Sequence, residues 1–525
     1  MDLKPTLLVS ISLALFGCTT DAEPANPTDP GAEETSTEPA DSGGLDTVEP
    51  DVPLVDAEEP DTQLPDTQLP DTNAPDTQLP DTNAPDIQEP DVTDPPPVVP
   101  RVLLIIADDM GIDATEIYAD QDGDGVADDG RTYAPMPNLA KICSDGVQFQ
   151  RAWSYPICSP TRSSILTGRY AFRTGIGTAV GKVGLKKGET TLPQLLDQVD
   201  PDFASANIGK WHLGTANGVG GDDAPKTMGW DHFAGLLSGG VQQYDQWNRT
   251  VNGVTDNETG YTTTVMVDDA VDWIGQQDPA KPWLLWLAFN APHTPFHLPP
   301  AALHTDTSLT GTTPHINANK SAYYRAAIQA MDTEVGRLTQ WIEDQELGPV
   351  TIIFVGDNGT PNQAVEAPWL PSRVKGTVYQ GGVRVPFCVA GPAVSGDPRK
   401  SEALVSTVDL FATILELLGG DVPTLLNGIV HDSQSIVPLL QSADATGTRT
   451  YNLAETFGAD VDTAVGIRGE QYKLVRVEGE PEAFYDISQD ALETAPLSIP
   501  GLTGAALAAY EELSQTLITL GATNP

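Results

Sequence analysis

Basic residues are scarce in this 525-residue chain. It contains 27 Lys and Arg against 74 Asp and Glu, which gives a formal net charge of −47 at pH 7. No basic patch or stripe that could neutralise a phosphate backbone is visible, so we expect no nucleic acid partner. The acidity is uneven, because residues 1–100 contribute −22 and the other 425 residues −25. A small anionic substrate fits the second part, since a few local cations can dominate a closed pocket.

A membrane-spanning apolar run is missing at the N-terminus. The stretch from Thr6 to Phe16 is rich in apolar residues, but eleven residues are too few to cross a bilayer and fit an export signal. It leads into the letters LFGC, which end at Cys18 and resemble the bacterial lipoprotein box. The resemblance implies lipidation of Cys18 and, since no Asp follows it, sorting to the outer membrane. We therefore expect an exported bacterial lipoprotein that faces the periplasm or cell surface and meets the membrane by its lipid anchor only. The alternative is an ordinary signal peptide.

Aromatic residues are absent between Cys18 and Arg101. This stretch is rich in Pro and acidic residues, and the letters PDTQL and PDTNA recur with a five-residue period. Such a composition cannot bury a core, and it favours an extended chain with a reach on the order of 200 Å. We predict four parts: a lipoprotein signal over 1–18, a disordered acidic tether over 19–100, a folded main domain over 101–440 and a C-terminal subdomain over 441–525.

Cysteines are few. Besides Cys18 and Cys158, which belong to motifs, the chain has only Cys143 and Cys388. These two cysteines form one disulfide if the protein folds in an oxidising compartment. The alternative is a pair of small buried thiols.

Acidic and amide residues follow two unbroken apolar runs. The run from Val102 to Ala107 ends in Asp108 and Asp109, and the run from Thr351 to Gly356 ends in Asp357 and Asn358. Unbroken apolar runs are typical of strands buried on both faces, and open α/β sheets place ligands at the carboxyl ends of such strands. Adjacent carboxylates repel each other, so a calcium or magnesium ion between them is the simplest resolution. Read alone, the pair of Asp108 and Asp109 is equally compatible with a polar loop that caps a helix.

Cationic residues follow two further predicted strands. Lys210 and His212 come after the strand candidate 203–209, and His293 comes after 283–289. Residues two apart at a strand end project to the same side. In isolation, a surface lysine and a packed histidine would explain the pair as well. The alternation of strands and helices predicts a doubly wound α/β domain.

Cys158 begins a segment that reads as a helix. Pro160 suits the first turn, Arg162 lies one turn on, and Gly168 marks the end. A helix N-terminus attracts anions, and an arginine adds a bidentate positive group. The combination of a nucleophile, an anion-attracting terminus and an arginine suggests an oxyanion ester as substrate.

Four motifs together resemble the sulfatase family. They are CSPTR at 158–162, LTGR at 166–169, GKWHLG at 209–214 and KGTVYQGGVRVP at 375–386. They occur in the family's order within residues 101–490. The resemblance implies an alkaline-phosphatase-like fold, in which helices flank a doubly wound mixed sheet over 101–440. It also implies a small C-terminal α+β subdomain with antiparallel strands.

The resemblance also implies the chemistry of the site. Cys158 would be oxidised to formylglycine by a separate formylglycine-generating enzyme, and the hydrated aldehyde would be the nucleophile. One divalent cation, calcium or else magnesium, would be held by Asp108, Asp109, residue 158, Asp357 and Asn358. The sulfate would be neutralised by Arg162, Lys210, His293 and Lys375. His293 or Lys375 would aid the leaving group, and His212 would take a proton from the second hydroxyl. The substrate would be a sulfated small molecule or glycan.

An acidic insertion has the spacing of a second calcium site. Asp120, Asp122 and Asp124 alternate, Gly125 follows, and Asp128 comes four positions after Asp124. This resembles the start of an EF-hand loop, but Arg131 stands where the bidentate Glu is expected, so the loops of calcium-binding repeats are closer. A solvated acidic insertion is the alternative to a structural calcium site.

Three functions fit these patterns. Sulfate-ester hydrolysis is the first, and hydrolysis of phosphonate monoesters or phosphodiesters is the second, since related enzymes share the modified cysteine. The third is a non-catalytic surface lipoprotein that keeps the fold for binding. The intact motifs favour the first.

Overall fold

The computed structural model describes residues 99–119, 129–181, 184–215 and 220–522. The predictions for Cys18, for the tether and for the acidic loop with Asp120, Asp122, Asp124 and Asp128 lie outside these ranges. The boundary at residue 440 also stays a prediction, because residues 92–525 form one compact unit.

A ten-stranded mixed sheet forms the centre of the described chain. Its strands are β1 (Arg101–Ala107), β2 (Val147–Trp153), β3 (Ala204–Lys210), β4 (His232–Leu236), β5 (Trp247–Val251), β6 (Val254–Glu258), β7 (Trp283–Ala288), β8 (Thr351–Gly356), β9 (Phe387–Ala390) and β10 (Arg399–Ser406). They are arranged in the order β10-β2-β9-β8-β1-β7-β3-β4-β5-β6. Strands β8, β1, β7, β3 and β4 run parallel, so their carboxyl ends meet at one edge.

Helices cover both faces of this sheet, and the last helix of the described residues packs instead on a second, C-terminal sheet. They are α1 (Pro137–Ser144), α2 (Cys158–Thr167), α3 (Ala171–Thr174), α4 (Leu192–Val199), α5 (Ala224–Thr227), α6 (Thr262–Ile274), α7 (Thr313–Ala318), α8 (Lys320–Asp344), α9 (Gln380–Val383), α10 (Leu410–Leu417), α11 (Val422–Leu425), α12 (Val437–Gln441) and α13 (Gly504–Leu520). Short 3-10 turns lie at Ile112–Ala114, Glu116–Tyr118, Gly221–Asp223, Pro371–Arg373, Thr407–Asp409 and Ile499–Gly501.

Strand β1 shows how the sheet separates two cores. Val102, Leu104 and Ile106 pack into one apolar cluster with residues of α2, α4 and α10. The alternate residues, such as Leu103 and Ile105, pack into a second cluster with residues of α1, α6 and α8. Since successive side chains of a strand point to opposite faces, a strand buried on both sides must be apolar throughout. The predicted doubly wound sheet flanked by helices is confirmed.

Gly209 permits the close approach of β3 and β7 beside the site. Its φ is +101°, and a Cβ at this position would lie 1.9 Å from the carbonyl oxygen of Ala288. Only glycine meets both conditions without moving the backbone. The residue that follows is Lys210, whose placement therefore depends on this glycine.

The C-terminal part forms a second sheet of four antiparallel strands. These are β11 (Asn452–Thr456), β12 (Ala464–Arg468), β13 (Tyr472–Val477) and β14 (Ala483–Asp486), paired in that order. Leu513 and Leu517 of α13 are buried in the apolar cluster that lies on this sheet. The predicted antiparallel α+β arrangement is confirmed.

Cys143 of α1 and Cys388 of β9 are joined by a disulfide, with a Cα–Cα distance of 5.1 Å. The alternative of two buried thiols is therefore wrong. Cys158 is the free cysteine of the described residues.

No helix in the described ranges combines the length and the apolar character that crossing a membrane requires.

The disulfide closes a loop across a sequence separation of 245 residues. We expect the double substitution C143A/C388A to lower the free energy of unfolding by on the order of 2–5 kcal/mol, because the crosslink restricts the unfolded chain. Denaturant unfolding of the variant and the wild type measures this difference. The Cys158→Ala variant is the control, since it keeps the disulfide. An unchanged unfolding midpoint in the double variant would contradict the prediction.

Candidate active site

The carboxyl edge of the parallel strands gathers the predicted site residues. Asp108 and Asp109 follow β1, Lys210 ends β3 and is followed by His212, and Asp357 follows β8. A backbone hydrogen bond ties two of these strand ends together, since the N–H of Asp357 donates to the Ala107 carbonyl oxygen at 3.0 Å. The fold thus brings together Asp108 and Asp357, which are 249 positions apart in the sequence.

Cys158 is the first residue of α2. The preceding residue, Ile157, is extended, and Pro160 lies in the first turn as predicted. The sulfur is buried and lies 3.1 Å from His212 Nδ1. Burial raises the pKa of the Cys158 thiol above its ordinary value. An unmodified Cys158 is therefore a protonated thiol at neutral pH.

Arg162 lies one turn further along α2 and is completely buried. Its Nη2 donates to Asp357 Oδ2 at 2.7 Å, and its Nε donates to the same oxygen at 3.2 Å. Its Nη1 donates to the Lys210 carbonyl oxygen at 2.8 Å. The guanidinium thus connects the α2 terminus to the ends of β3 and β8.

Each of the two carboxylates that follow β1 contacts a different lysine side chain. Lys210 Nζ lies 2.6 Å from Asp108 Oδ2, and Lys375 Nζ lies 2.5 Å from Asp109 Oδ1. Burial raises the pKa of Asp108, and Lys210 opposes this effect only in part. Burial acts on Asp109 in the same direction, but Lys375 and His293 outweigh it and hold the pKa of Asp109 below its usual range.

The two histidines are both neutral at pH 7. Burial and then the charge of Lys210 lower the pKa of His212 well below its usual value. Burial also lowers the pKa of His293, to about 4, although Asp109 opposes the effect. His293 Nδ1 lies 2.7 Å from the Thr294 carbonyl oxygen, which can only accept, so Nδ1 carries the proton. His293 Nε2 then faces Asp109 Oδ2 at 3.7 Å.

The oxygen atoms at this edge fit a hard divalent cation. Among the described residues, no hydrogen-bond donor satisfies the buried Asp108 Oδ1 or the buried Asn358 Oδ1. Ligand atoms of Asp108, Cys158 and Asp357 lie within 4.8 Å of one another, and so do those of Asp108, Asp109 and His293. Unsatisfied buried oxygens are rare, and carboxylate and amide oxygens are the ligands that Ca²⁺ and Mg²⁺ prefer. The residues predicted as metal ligands therefore form one cluster that suits such an ion.

Several supporting residues were not predicted from the sequence. The Tyr324 hydroxyl donates to the Asp109 carbonyl oxygen at 2.6 Å, and Asp109 has an unusual φ of +68°. The Tyr244 hydroxyl lies 2.7 Å from the carbonyl oxygens of both Asn290 and His293. Tyr324 lies on the buried face of α8, so its sequence pattern is that of an ordinary core residue. No sequence signal separates these tyrosines from core aromatics.

A family model described as Sulfatase matches residues 100–420. The chain belongs to the sulfatase family. A second model, described as N-sulphoglucosamine sulphohydrolase, C-terminal, matches residues 369–500. The resemblance of the four motifs to this family is therefore confirmed, and the second match covers all four strands of the antiparallel sheet.

A curated mammalian sulfatase is similar to this chain over most of its length. Arylsulfatase J of Mus musculus is 27% identical over 407 residues, which are 72% of this chain and 64% of the mouse protein. The matched part thus spans slightly less than two thirds of that relative.

Two solved structures share the fold at low identity. The crystal structure of Ps i-CgsB in complex with k-i-k-neocarrahexaose has a TM-score of 0.64 at 24% identity and covers 81% of this chain and 94% of its own. BT4656, solved in complex with its substrate D-glucosamine-2-N,6-O-disulfate, has a TM-score of 0.61 at 20% identity and covers 80% and 97%. At these identities the likeness establishes the alkaline-phosphatase-like fold of this sulfatase.

The oxygen cluster predicts that one divalent cation binds, and Ca²⁺ is a suitable ion for the test. We expect Asp108→Asn to weaken Ca²⁺ affinity at least about tenfold, because affinity in oxygen-ligand sites follows the number of charged ligands. Isothermal titration calorimetry on metal-stripped protein measures the affinity and the stoichiometry. Asp397→Asn is the matched control, since Asp397 is exposed on the loop between β9 and β10. Equal affinities of the Asp108 variant and the wild type would contradict the assignment.

Proposed function

We propose that this sulfatase hydrolyses sulfate esters and releases inorganic sulfate. The observation that supports this most strongly is the arrangement around residue 158: Arg162, Lys210 and Lys375 provide three cations beside a buried nucleophile position. A closed site of this kind stabilises negative charge far better than water does, because its dipoles and charges are already oriented.

Residue 158 is the nucleophile in this proposal, after conversion of Cys158 to formylglycine by a maturation enzyme. Support comes from the CSPTR motif at the start of α2 and from the protonated state of the unmodified thiol, which makes it a poor nucleophile. The modified residue would supply a hydrated aldehyde with a hydroxyl group at the position of the sulfur.

A divalent cation, calcium or magnesium, would be held by Asp108, Asp109, Asp357, Asn358 and residue 158. It would act as a Lewis acid and lower the pKa of a bound hydroxyl group. The protein's own part is to keep these oxygens converged, which the Arg162–Asp357 and Lys210–Asp108 contacts accomplish.

The remaining residues have separate tasks. Lys210 and Lys375 would neutralise the sulfate oxygens, since both ammonium groups already face the cluster of carboxylates. Lys375, whose ammonium group stays protonated because Asp109 outweighs the effect of burial and raises its pKa, would donate a proton to the leaving oxygen, and the neutral Nε2 of His293, which faces the site, would only accept a hydrogen bond there. His212 is neutral and its Nδ1 lies at residue 158, so it would accept a proton from the second hydroxyl there.

A sulfated glycan is the substrate class that we propose. BT4656 and Ps i-CgsB were solved with a sulfated glucosamine and a carrageenan oligosaccharide respectively. An exported enzyme on a long acidic tether would meet such polymers outside the cell. A sulfated small molecule would fit the same cationic residues.

The nucleophile can be identified by mass spectrometry of the peptide that spans Tyr155 to Arg162. In protein from the native host, we expect the thiol of Cys158 to be replaced by an aldehyde.

The matured, calcium-loaded enzyme should hydrolyse an aryl sulfate faster than an aryl phosphodiester. We expect Lys210→Ala to lose at least about a hundredfold in kcat/KM, because a charge that faces the reacting group is removed.

Lys226→Ala is the control for the Lys210 variant, since Lys226 is an exposed lysine on α5. Faster turnover of the phosphodiester would support the phosphodiesterase alternative instead. A matured, metal-loaded protein without turnover of either ester would overturn the proposal and leave a binding lipoprotein.

We also propose that the protein is exported and anchored to the outer membrane through Cys18. The Cys143–Cys388 disulfide supports export, because such bonds persist in oxidising compartments. We expect Cys18→Ser to move the protein from the membrane fraction to the soluble fraction, as judged by fractionation and immunoblotting. Thr19→Ser is the control beside it. Retention of the Cys18 variant in the membrane fraction would contradict lipid anchoring.

A further inference from the structure

A buried ion pair in the C-terminal sheet lies outside the catalytic centre. Lys473 of β13 and Glu493, which follows β14, are 0% and 1% exposed, and their charged atoms lie 2.5 Å apart. Glu493 has a φ of +59°, a left-handed conformation that is uncommon for a residue other than glycine. A conformation of this kind persists only where the surroundings fix it.

The pair holds the start of α9. The N–H of Gln380, the first residue of that helix, donates to Glu493 Oε2 at 2.5 Å. The side chain of Gln380 accepts from Trp153 Nε1 at 3.0 Å, and Lys473 Nζ lies 4.7 Å from the centre of a Trp153 ring. Glu493 therefore connects the C-terminal sheet to α9, and α9 in turn to the end of β2.

Helix α9 contacts the backbone on both sides of the catalytic cluster. Its Gly382 carbonyl accepts from the N–H of Gly359, the residue after the proposed metal ligand Asn358, at 2.9 Å. Its Val383 carbonyl accepts from the N–H of Ser154 at 2.8 Å, four residues before Cys158. A shift of α9 would therefore move the segments that hold the nucleophile and the metal ligand.

The segment from Lys375 to the helix is tied in the same way. The N–H of Lys375 donates to the Thr360 carbonyl oxygen at 3.1 Å, and the N–H of Gly376 donates to the Pro156 carbonyl oxygen at 2.9 Å. These two bonds link the Lys375 segment to the chain after Asn358 and to the chain before Cys158. Lys375 lies five residues before the helix that Glu493 holds.

A buried ion pair is weak grounds for stability. Removing two charges from water is so unfavourable that well-packed apolar residues often serve stability as well or better. Burial lowers the pKa of Lys473 to about 8 although Glu493 opposes the effect, so the desolvation of this pair is large. The hydrogen bond that Glu493 accepts from α9 gives the carboxylate a task that an apolar residue could not perform.

We infer that Glu493 is a positioning residue for the sulfatase reaction: its carboxylate, held by Lys473, fixes the N–H of Gln380 and with it the segments that carry Lys375, Asn358 and residue 158. This inference rests on the proposed function. Glu493 touches none of the reacting groups, so it acts through α9 alone.

Two double variants separate position from charge. K473M/E493Q removes both charges but keeps an oxygen that accepts from Gln380, whereas K473M/E493L removes the acceptor as well. We expect K473M/E493Q to retain kcat within about threefold of the wild type, and K473M/E493L to lose about ten- to a hundredfold with KM changed less than kcat. The single variant E480Q is the control, because Glu480 is exposed in the same subdomain. Equal kcat values for the two double variants would overturn the inference.

A second pair of variants avoids the buried charges entirely. Q380A keeps the backbone N–H of position 380, and Q380P removes it at the first helical position, where proline is tolerated. Both lose the contact with Trp153, so the difference between them isolates the hydrogen bond to Glu493. We expect the kcat of Q380P to be about tenfold lower than that of Q380A. Equal kcat values in this pair would also overturn the inference.

Hydrogen exchange separates this inference from the proposed function. We expect amide protons of residues 376–384 to exchange faster in K473M/E493L than in K473M/E493Q, whether or not a sulfate ester is turned over. If the wild type hydrolyses no sulfate ester but this difference in exchange is present, the proposed function fails, whereas the positioning of α9 by Glu493 is supported. If the exchange rates of the two double variants are equal, this positioning itself is refuted.

Discussion

The compensation of buried charge at the carboxyl edge of the sheet is the constraint on which the site depends. Asp108, Asp109 and Asp357 are buried within one small region, where carboxylates repel one another and lack water. Arg162 and Lys210 are also buried, and they offset part of this charge. The oxygens that remain unsatisfied are those that a divalent cation would bind. The buried cations can therefore bind an anionic ester, and the buried carboxylates can bind a metal ion.

The pairing of the parallel strands sets the spacing of the site residues that directly follow them. Strands β8, β1, β7 and β3 are neighbours, and each contributes its end to the site. Since hydrogen-bonded strands lie about 4.8 Å apart, residues that follow adjacent strands are held at a spacing suited to shared ligands. The backbone bond between Asp357 and Ala107 extends this pairing beyond the strands. The strand pairing therefore fixes the positions at which Asp108 and Asp357 follow their strands.

The sequence predicted those parts whose pattern is local. Unbroken apolar runs identified β1, β7 and β8, because strands covered on both faces must be apolar along their whole length. Strand β2 includes buried Gln148 and Gln150, and β6 is mostly exposed, so neither shows that pattern. The residues of the site could be identified through motifs. The partners of these residues could not, since the pairing of Lys375 with Asp109 and of Lys210 with Asp108 depends on the order of strands in space.

Residue 158 and Lys375 differ from the other site residues in how they are held. Neither follows a strand of the parallel set directly: Cys158 comes five residues after β2, which β9 separates from β8, and Lys375 lies in a long connection between β8 and α9. Strand pairing cannot fix such segments, so other contacts must. The bonds from Gly376 to Pro156 and from Ser154 to Val383 join the two segments to each other and to α9. The C-terminal sheet contacts the same region in two ways, because Glu493 accepts a hydrogen bond from α9 and Leu453 packs in one apolar cluster with Tyr155, three residues before Cys158.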